Sequence, residues 1–156
     1  MSQSLVQIFV HLIFATKGRH MWIQPEMEDD LYAYLGGIVR NRKSVLIKGN
    51  GTENHIHLVI RLHADVALSS LVRDLKSNSS TWMKKMEPRF SWQGGYGAFS
   101  CSKSQLDTLL HYVERQKEHH RAHTFEEEMK GLAEKWGCRW EWDEETDEQS
   151  WTENSV

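Results

Sequence analysis

The chain has 156 residues, 39% hydrophobic and 26% charged, with a formal net charge of −3. That length suits one domain able to bury a real core, and no apolar run approaches the ~18 residues a membrane helix needs. The start, Met1-Ser2-Gln3-Ser4, lacks the basic region of a secretory signal, and Cys101 and Cys138 make neither a disulfide framework nor a zinc spacing, so a cytoplasmic protein with reduced thiols is expected.

The net charge hides an asymmetry. Residues 1–123 carry 16 Lys+Arg against 11 Asp+Glu, and residues 124–156 carry 3 against 11. All nine histidines lie in the first part. A mildly basic core followed by an acidic end is compatible with a nucleic-acid partner without requiring one.

Val6 to Thr16 alternates as a strand does. Val6, Ile8, Val10, Leu12 and Phe14 share one face, and Phe9, His11 and Ile13 the other. Pro25 opens a helix to about Asn41, with Leu31, Tyr34, Leu35 and Ile38 in one stripe. Ser44 to Lys48 reads as a second strand. Gly49-Asn50-Gly51 reads as a turn, and a third strand runs from about Asn54 to Leu62. A second helix spans about Ala67 to Met86, where Leu68, Leu71, Val72, Leu75, Trp82, Met83 and Met86 recur at helical spacing before Pro88.

Gly94-Gly95 introduces a fourth strand, Tyr96 to Cys101. Ser104 with Asp107 resembles a capping box for a third helix to about His120. Thr124 with Glu127 suggests a further cap, and Phe125, Met129, Leu132 and Trp136 form a helical stripe ending at Gly137. This divides the chain into a core (1–123), an amphipathic helix with a short extension (124–142) and an acidic tail (143–156) expected to be disordered. The order β-α-β-β-α-β implies an α+β, ferredoxin-like (RRM-like) fold. Its antiparallel sheet carries both helices on one face and leaves the other open for function, with the C-terminal helices added.

The third strand reads His55-Ile56-His57-Leu58-Val59-Ile60. Alternation puts His55, His57 and Val59 on one face, while Ile56, Leu58 and Ile60 take the helix-covered side. Two imidazoles on the open face of a central strand suit joint chelation of a divalent metal. His-X-His by itself equally describes two histidines exposed by chance. On the third helix, Leu106, Leu109, Leu110 and Val113 mark the buried stripe. Tyr112 and Gln116 fall together on a neighbouring face one turn apart, with His119 on the same side. A tyrosine there is either a half-buried packing residue or a presented phenol.

These segments together resemble the HUH single-strand transposases of bacterial insertion sequences, the TnpA-type enzymes with one catalytic tyrosine (the two-hundred/six-hundred-and-five class). The carrying stretches are His11–Lys17, Asn54–Leu58, Ser91–Ser100, Tyr112–Gln116 with His119-His120, and Thr124–Glu128, in order over about residues 5–136. The chain departs at Asn54, where the family usually has Asp. The resemblance implies that His55, His57 and the Gln116 side-chain oxygen hold Mg²⁺ or Mn²⁺. It implies that Tyr112 is a nucleophile forming a 5′-phosphotyrosine on single-stranded hairpin DNA. It further implies a homodimer in which the Tyr112 helix works in trans. Variants of this reading are a domesticated nickase acting on chromosomal hairpins and a non-catalytic nucleic-acid-binding module on the same fold.

Outside that constellation, Lys17, Arg19 and Lys76 are candidate phosphate contacts, against the alternative of ordinary solvated positions. Trp92 and Tyr96 are candidate base-stacking residues, against the alternative of packing. His11 shares the face of His55 and His57, where a supporting or a purely structural role both fit.

Overall fold

The computed structural model describes residues 2–155. Strand β1 (Phe9–Ala15) is followed by helix α1 (Glu28–Asn41), β2 (Val45–Gly51), β3 (His55–Arg61), α2 (Leu68–Met83) and β4 (Gly97–Cys101). These strands form one antiparallel sheet in the order β2-β3-β1-β4. The sheet order and the alternation of its elements are those expected of a ferredoxin-like α+β fold.

One sheet face follows the sequence reading closely. Leu12, Phe14, Ile56, Leu58 and Ile60 point into a core built with Leu31, Leu35 and Val39 of α1 and Leu71, Val72, Leu75 and Met83 of α2. Each such side chain removed from water contributes roughly 1.5–3 kcal/mol. This two-layer core makes the frame that holds β1 and β3 rigid.

The other face is not open. The chain continues into α3 (Leu106–Glu114), the single turn α4 (Gln116–His119), α5 (Phe125–Lys135), β5 (Cys138–Asp143) and β6 (Glu148–Glu153). Phe9 and Val59 pack with Leu106 and Val113 of α3. Ile13 and Ala15 pack with Phe125, Met129 and Ala133 of α5 and with Trp140. Every residue of β1 is therefore buried. Period-2 alternation shows which side chains share a face, but not whether a later segment will cover it.

Three local expectations change. Gly49-Asn50-Gly51 does not turn the chain but lies within β2, and the reversal falls at Thr52–Asn54. Gly51 is needed there because a Cβ would lie 2.2 Å from the His55 carbonyl oxygen. The third helix breaks at Arg115, whose φ of −93° and ψ of 16° separate α3 from α4. The Asn50 side-chain amide donates to the Val113 and Glu114 carbonyls at 3.0 and 3.1 Å, supplying partners that a continuing helix would have provided. Ser104 is no cap: it lies inside a 3₁₀ turn, Lys103–Gln105, that leads into α3. Thr124 does cap α5, accepting from the Glu127 backbone N–H at 3.1 Å.

The acidic end also differs from the disordered tail expected over 143–156. Residues 138–153 form a hairpin, with Trp140 opposite Trp151 and Asp143 opposite Glu148. Two strands alone are marginal in water, so docking holds them. The Asp147 carboxylate accepts from the Gly18 backbone N–H at 2.7 Å, Gln93 Nε2 at 3.0 Å and Trp142 Nε1 at 3.1 Å. Acidic composition concealed a segment whose alternate tryptophans have a surface to meet. No helix among the described residues is long and apolar enough to cross a membrane.

Candidate active site

The β3 alternation aims His55 and His57 away from the helix-covered core, and both are fully buried under the C-terminal elements. Each ring is oriented through its Nδ1. His55 Nδ1 pairs with Asn54 Oδ1 at 2.9 Å and Thr52 Oγ1 at 3.0 Å. His57 Nδ1 pairs with His11 Nε2 at 2.7 Å, and the two rings stack at 5.0 Å. Both Nε2 atoms are thereby turned to the same point, the arrangement by which supporting hydrogen bonds fix a ligating imidazole. Asn54, in place of the expected Asp, still presents an oxygen to His55.

The point on which they converge carries a residue that sequence reasoning missed. Glu128 of α5 places Oε1 3.0 Å from His57 Nε2, 3.0 Å from His120 Nε2 and 3.5 Å from His55 Nε2. Its Oε2 accepts from the Tyr112 hydroxyl and, at 2.8 Å, from Gln116 Nε2. Gln116 Oε1 lies 3.3 Å from His55 Nε2. The four sequence-predicted residues Tyr112, His55, His57 and Gln116 are thus brought together, despite the break at Arg115, around one carboxylate with 1% side-chain exposure. Tyr112 belongs to the same chain as the histidines it faces, with 5.9 Å between its ring centre and that of His57. The only sequence sign of Glu128 was its membership of the Thr124–Glu128 stretch, one of the segments that carry the family resemblance.

Electrostatics follow from burial. Desolvation, together with the neighbouring His57, depresses His11 to about 3. Desolvation depresses His55 to about 4, although the Glu128 hydrogen bond works the other way. Burial pushes the Glu128 carboxyl up, but hydrogen bonds from His120, His55 and His57 together outweigh it and hold it well below the usual carboxylate range. Burial first, and then the Glu128 charge, raise the Tyr112 phenol far above its ordinary value. In this arrangement the phenol is a protonated donor to Glu128.

The donor set fits a divalent cation. Nitrogens of His55, His57 and His120 and an oxygen of Glu128 lie within 4.8 Å of one another. Adjacent donors around a six-coordinate Mg²⁺-sized ion are about 3 Å apart, close to the spacings from Glu128 Oε1. A cleft of about 720 Å³ opens beside the cluster, lined by Asn54, Lys117, His120, Arg121, His123 and Phe125 among others.

The other sequence candidates lie elsewhere. Lys17 is exposed, beside a groove that Tyr96 and the hairpin residues Asp147 and Trp151 also line. Tyr96 is half-buried and packs against the main core. Arg19 is taken up by the hairpin, its guanidinium 3.7 Å from the Trp142 ring centre and 4.7 Å from that of Phe125. Burial lowers it to about 10. Lys76 donates to the Gln93 and Gly95 carbonyls at 2.7 and 2.5 Å, and burial lowers it to about 8. It is a tie for the loop before β4 and is not displayed for a phosphate. Trp92 is buried between Phe14 and Phe90 and donates to Ser79 Oγ at 2.9 Å. The packing alternative describes it, because the ring is buried.

Comparison with known proteins points in one direction. A protein of Deinococcus radiodurans R1, described as a candidate transposase, superposes with a TM-score of 0.60 at 23% identity, covering 74% of this chain and 98% of that one. A REP-associated tyrosine transposase solved with a REP hairpin superposes with a TM-score of 0.60 at 13% identity, covering 77% and 73%. No curated protein sequence matches. The family model described as "Transposase IS200 like" matches residues 4–116, so the chain belongs to the IS200-like transposase family.

Proposed function

We propose that this chain is a DNA transposase that cuts and rejoins single strands through Tyr112. The observation that carries the reading is the convergence of the Tyr112 hydroxyl, the His55 and His57 Nε2 atoms and Gln116 on one buried point. In this reading the Tyr112 oxygen attacks a phosphodiester phosphorus, the bond to the 3′ oxygen breaks, and a 5′-phosphotyrosine and a 3′-hydroxyl result. The covalent link conserves the phosphodiester energy, so rejoining needs no nucleotide cofactor. Mg²⁺ or Mn²⁺ held by His55, His57 and the Gln116 oxygen would polarise the phosphoryl group and stabilise the leaving oxygen.

The chain's own residues supply the rest. His11 and Asn54 hold the two imidazoles in orientation. Arg121 and Lys117, the latter paired with Glu28 at 2.9 Å, bring positive charge to the adjacent cleft for a phosphate backbone. Burial of the site keeps water from the covalent intermediate. Residues 1–123 form the catalytic core in this assignment, and the C-terminal helix closes over it.

The substrate class is single-stranded DNA folded into a hairpin, a choice supported by the hairpin bound to the REP-associated neighbour. A homodimer that exchanges Tyr112 helices is part of the same family reading. It requires α3 to leave its own histidines. A Tyr112→Phe protein mixed with a His55→Ala protein then recovers cleavage on subunit exchange, whereas a cis enzyme does not.

The deciding experiment is covalent trapping on labelled hairpin-bearing single strands from the flanks of the coding region, with Mg²⁺ or Mn²⁺. A metal-dependent protein–DNA adduct, lost in Tyr112→Phe, in His57→Ala and with EDTA, supports the reading. Binding that survives EDTA and Tyr112→Phe, with no adduct on those ends, would replace it with a non-catalytic DNA-binding module.

A further inference from the structure

Resting on that metal-site reading, we propose that Glu128 is itself a metal ligand, with His120 a further donor, and that the same carboxylate holds Tyr112 beside the ion. The C-terminal helix α5 is then part of the metal centre and not a cover laid over it.

Charge is the first argument. His55, His57 and Gln116 are all neutral donors, in a place where both histidines are completely buried. A divalent cation taken out of water among neutral groups lacks compensation, which is costly. Glu128 is the carboxylate at that point, and five residues from four different elements orient toward it: His55 and His57 from β3, Gln116 from α4, Tyr112 from α3 and His120 from the turn after α4.

Geometry is the second. Oε1 lies 3.0 Å from His57 Nε2 and from His120 Nε2 and 3.5 Å from His55 Nε2. These are distances between neighbouring donors around one ion, with the His Nε2–H groups giving way to lone pairs when metal enters. The two oxygens divide the work. Oε1 faces the imidazoles, while Oε2 accepts from Tyr112 and from Gln116 Nε2 at 2.8 Å. An imidazole-rich set with one carboxylate favours Mn²⁺ or another transition ion over Mg²⁺.

α5 has the anchoring this role needs. Thr124 caps its start, Phe125, Met129 and Ala133 pack on Ile13, Ala15 and Trp140, and Glu128 shares the buried side. Losing a hydrogen bond around a metal ligand typically costs 10–100-fold in affinity, and a ligand should cost at least that.

The test is Mn²⁺ binding to the full chain without DNA, by calorimetry and by the electron spin resonance of bound Mn²⁺. Glu128→Gln and His120→Ala are each expected to weaken binding by about tenfold or more, and pulsed spectra of the wild type are expected to show three coupled imidazole nitrogens. If both variants bind Mn²⁺ as the wild type does while His57→Ala loses it, the inference falls and the histidine-pair site stands. If the folded wild type binds no Mn²⁺, both fall. Should Glu128→Gln fail to fold, Glu128→Asp, which keeps the charge on a shorter arm, decides together with His120→Ala: unchanged binding in both overturns the inference, and weakened binding in both supports it.

Discussion

Asp147 is where the C-terminal hairpin is most open to attack. Its carboxylate accepts from Gly18 N–H, Gln93 Nε2 and Trp142 Nε1 at 2.7, 3.0 and 3.1 Å. Replacing it with alanine removes three hydrogen bonds to a charged acceptor. Such bonds are worth roughly 1.5–3 kcal/mol when protected and less where water competes, and Gly18 is exposed. About 1 kcal/mol each is a reasonable allowance here. Asp147 also sits at φ of 57°, a region Asp tolerates better than Ala.

Asp147→Ala should therefore cost about 3 kcal/mol of hairpin docking, allowing for those bonds. That corresponds to roughly a hundredfold loss of hydrogen-exchange protection for the amides of β5 and β6. The loss should extend into α5, because Trp140 packs with Phe125, Met129 and Ala133, and should be smaller in β1 and β3, whose Leu12, Phe14, Ile56, Leu58 and Ile60 are held by the other core. Asp147→Asn, which keeps the backbone preference and one acceptor oxygen, should fall between. Protection in β5 and β6 changed by less than about fivefold would refute the reasoning, since it would mean that apolar contacts hold the hairpin without Asp147.

Three further outcomes are expected. His55 and His11 are depressed in the folded chain to about 4 and about 3 from 6.5, so the unfolded chain binds protons that the folded chain refuses. The metal-free protein should hold full stability above pH ~6.5 and lose about 2 kcal/mol for each of these groups by pH 5; urea midpoints unchanged between pH 7 and pH 5 would contradict this. Asn50→Ala should cost about 1–2 kcal/mol through the lost bonds to Val113 and Glu114, and should slow adduct formation more than it lowers the unfolding midpoint, read by trapping kinetics beside denaturation. Thr124→Ala should cost about 1 kcal/mol through the lost cap on α5, with Thr124→Ser restoring most of it, measured by thermal unfolding.

Much of the site was legible because it rests on short-range periodicity. His55 and His57 share a face for the same reason that Ile56 and Leu58 share the opposite one, and strand alternation does not depend on what packs above it. Tyr112 was legible as a residue beside the stripe Leu106, Leu109, Leu110 and Val113. Its pairing with Gln116 was read from helical spacing, but the break at Arg115 between them was not legible, because it depends on an amide from β2 reaching the α3 carbonyls. Lys76, Arg19 and Trp92 looked available because their consumers, the Gln93 and Gly95 carbonyls, the Trp142 ring and Ser79, lie 13 to 123 residues away in the chain.

The amino-acid order by itself determined the strand and helix succession from β1 to β4, the two-faced character of β1 and β3, and the pairing of two imidazoles on one face. All of these follow from repeat periods of two or 3.6 residues acting within a single element. Only the tertiary structure decided that the second face is covered, that the acidic end folds back as a hairpin, and that Glu128 meets histidines 71 and 73 residues earlier. Those outcomes turn on which distant surface a segment finds. A buried carboxylate is stable only where several donors from separate elements already converge, and that convergence exists in no stretch of the sequence taken alone.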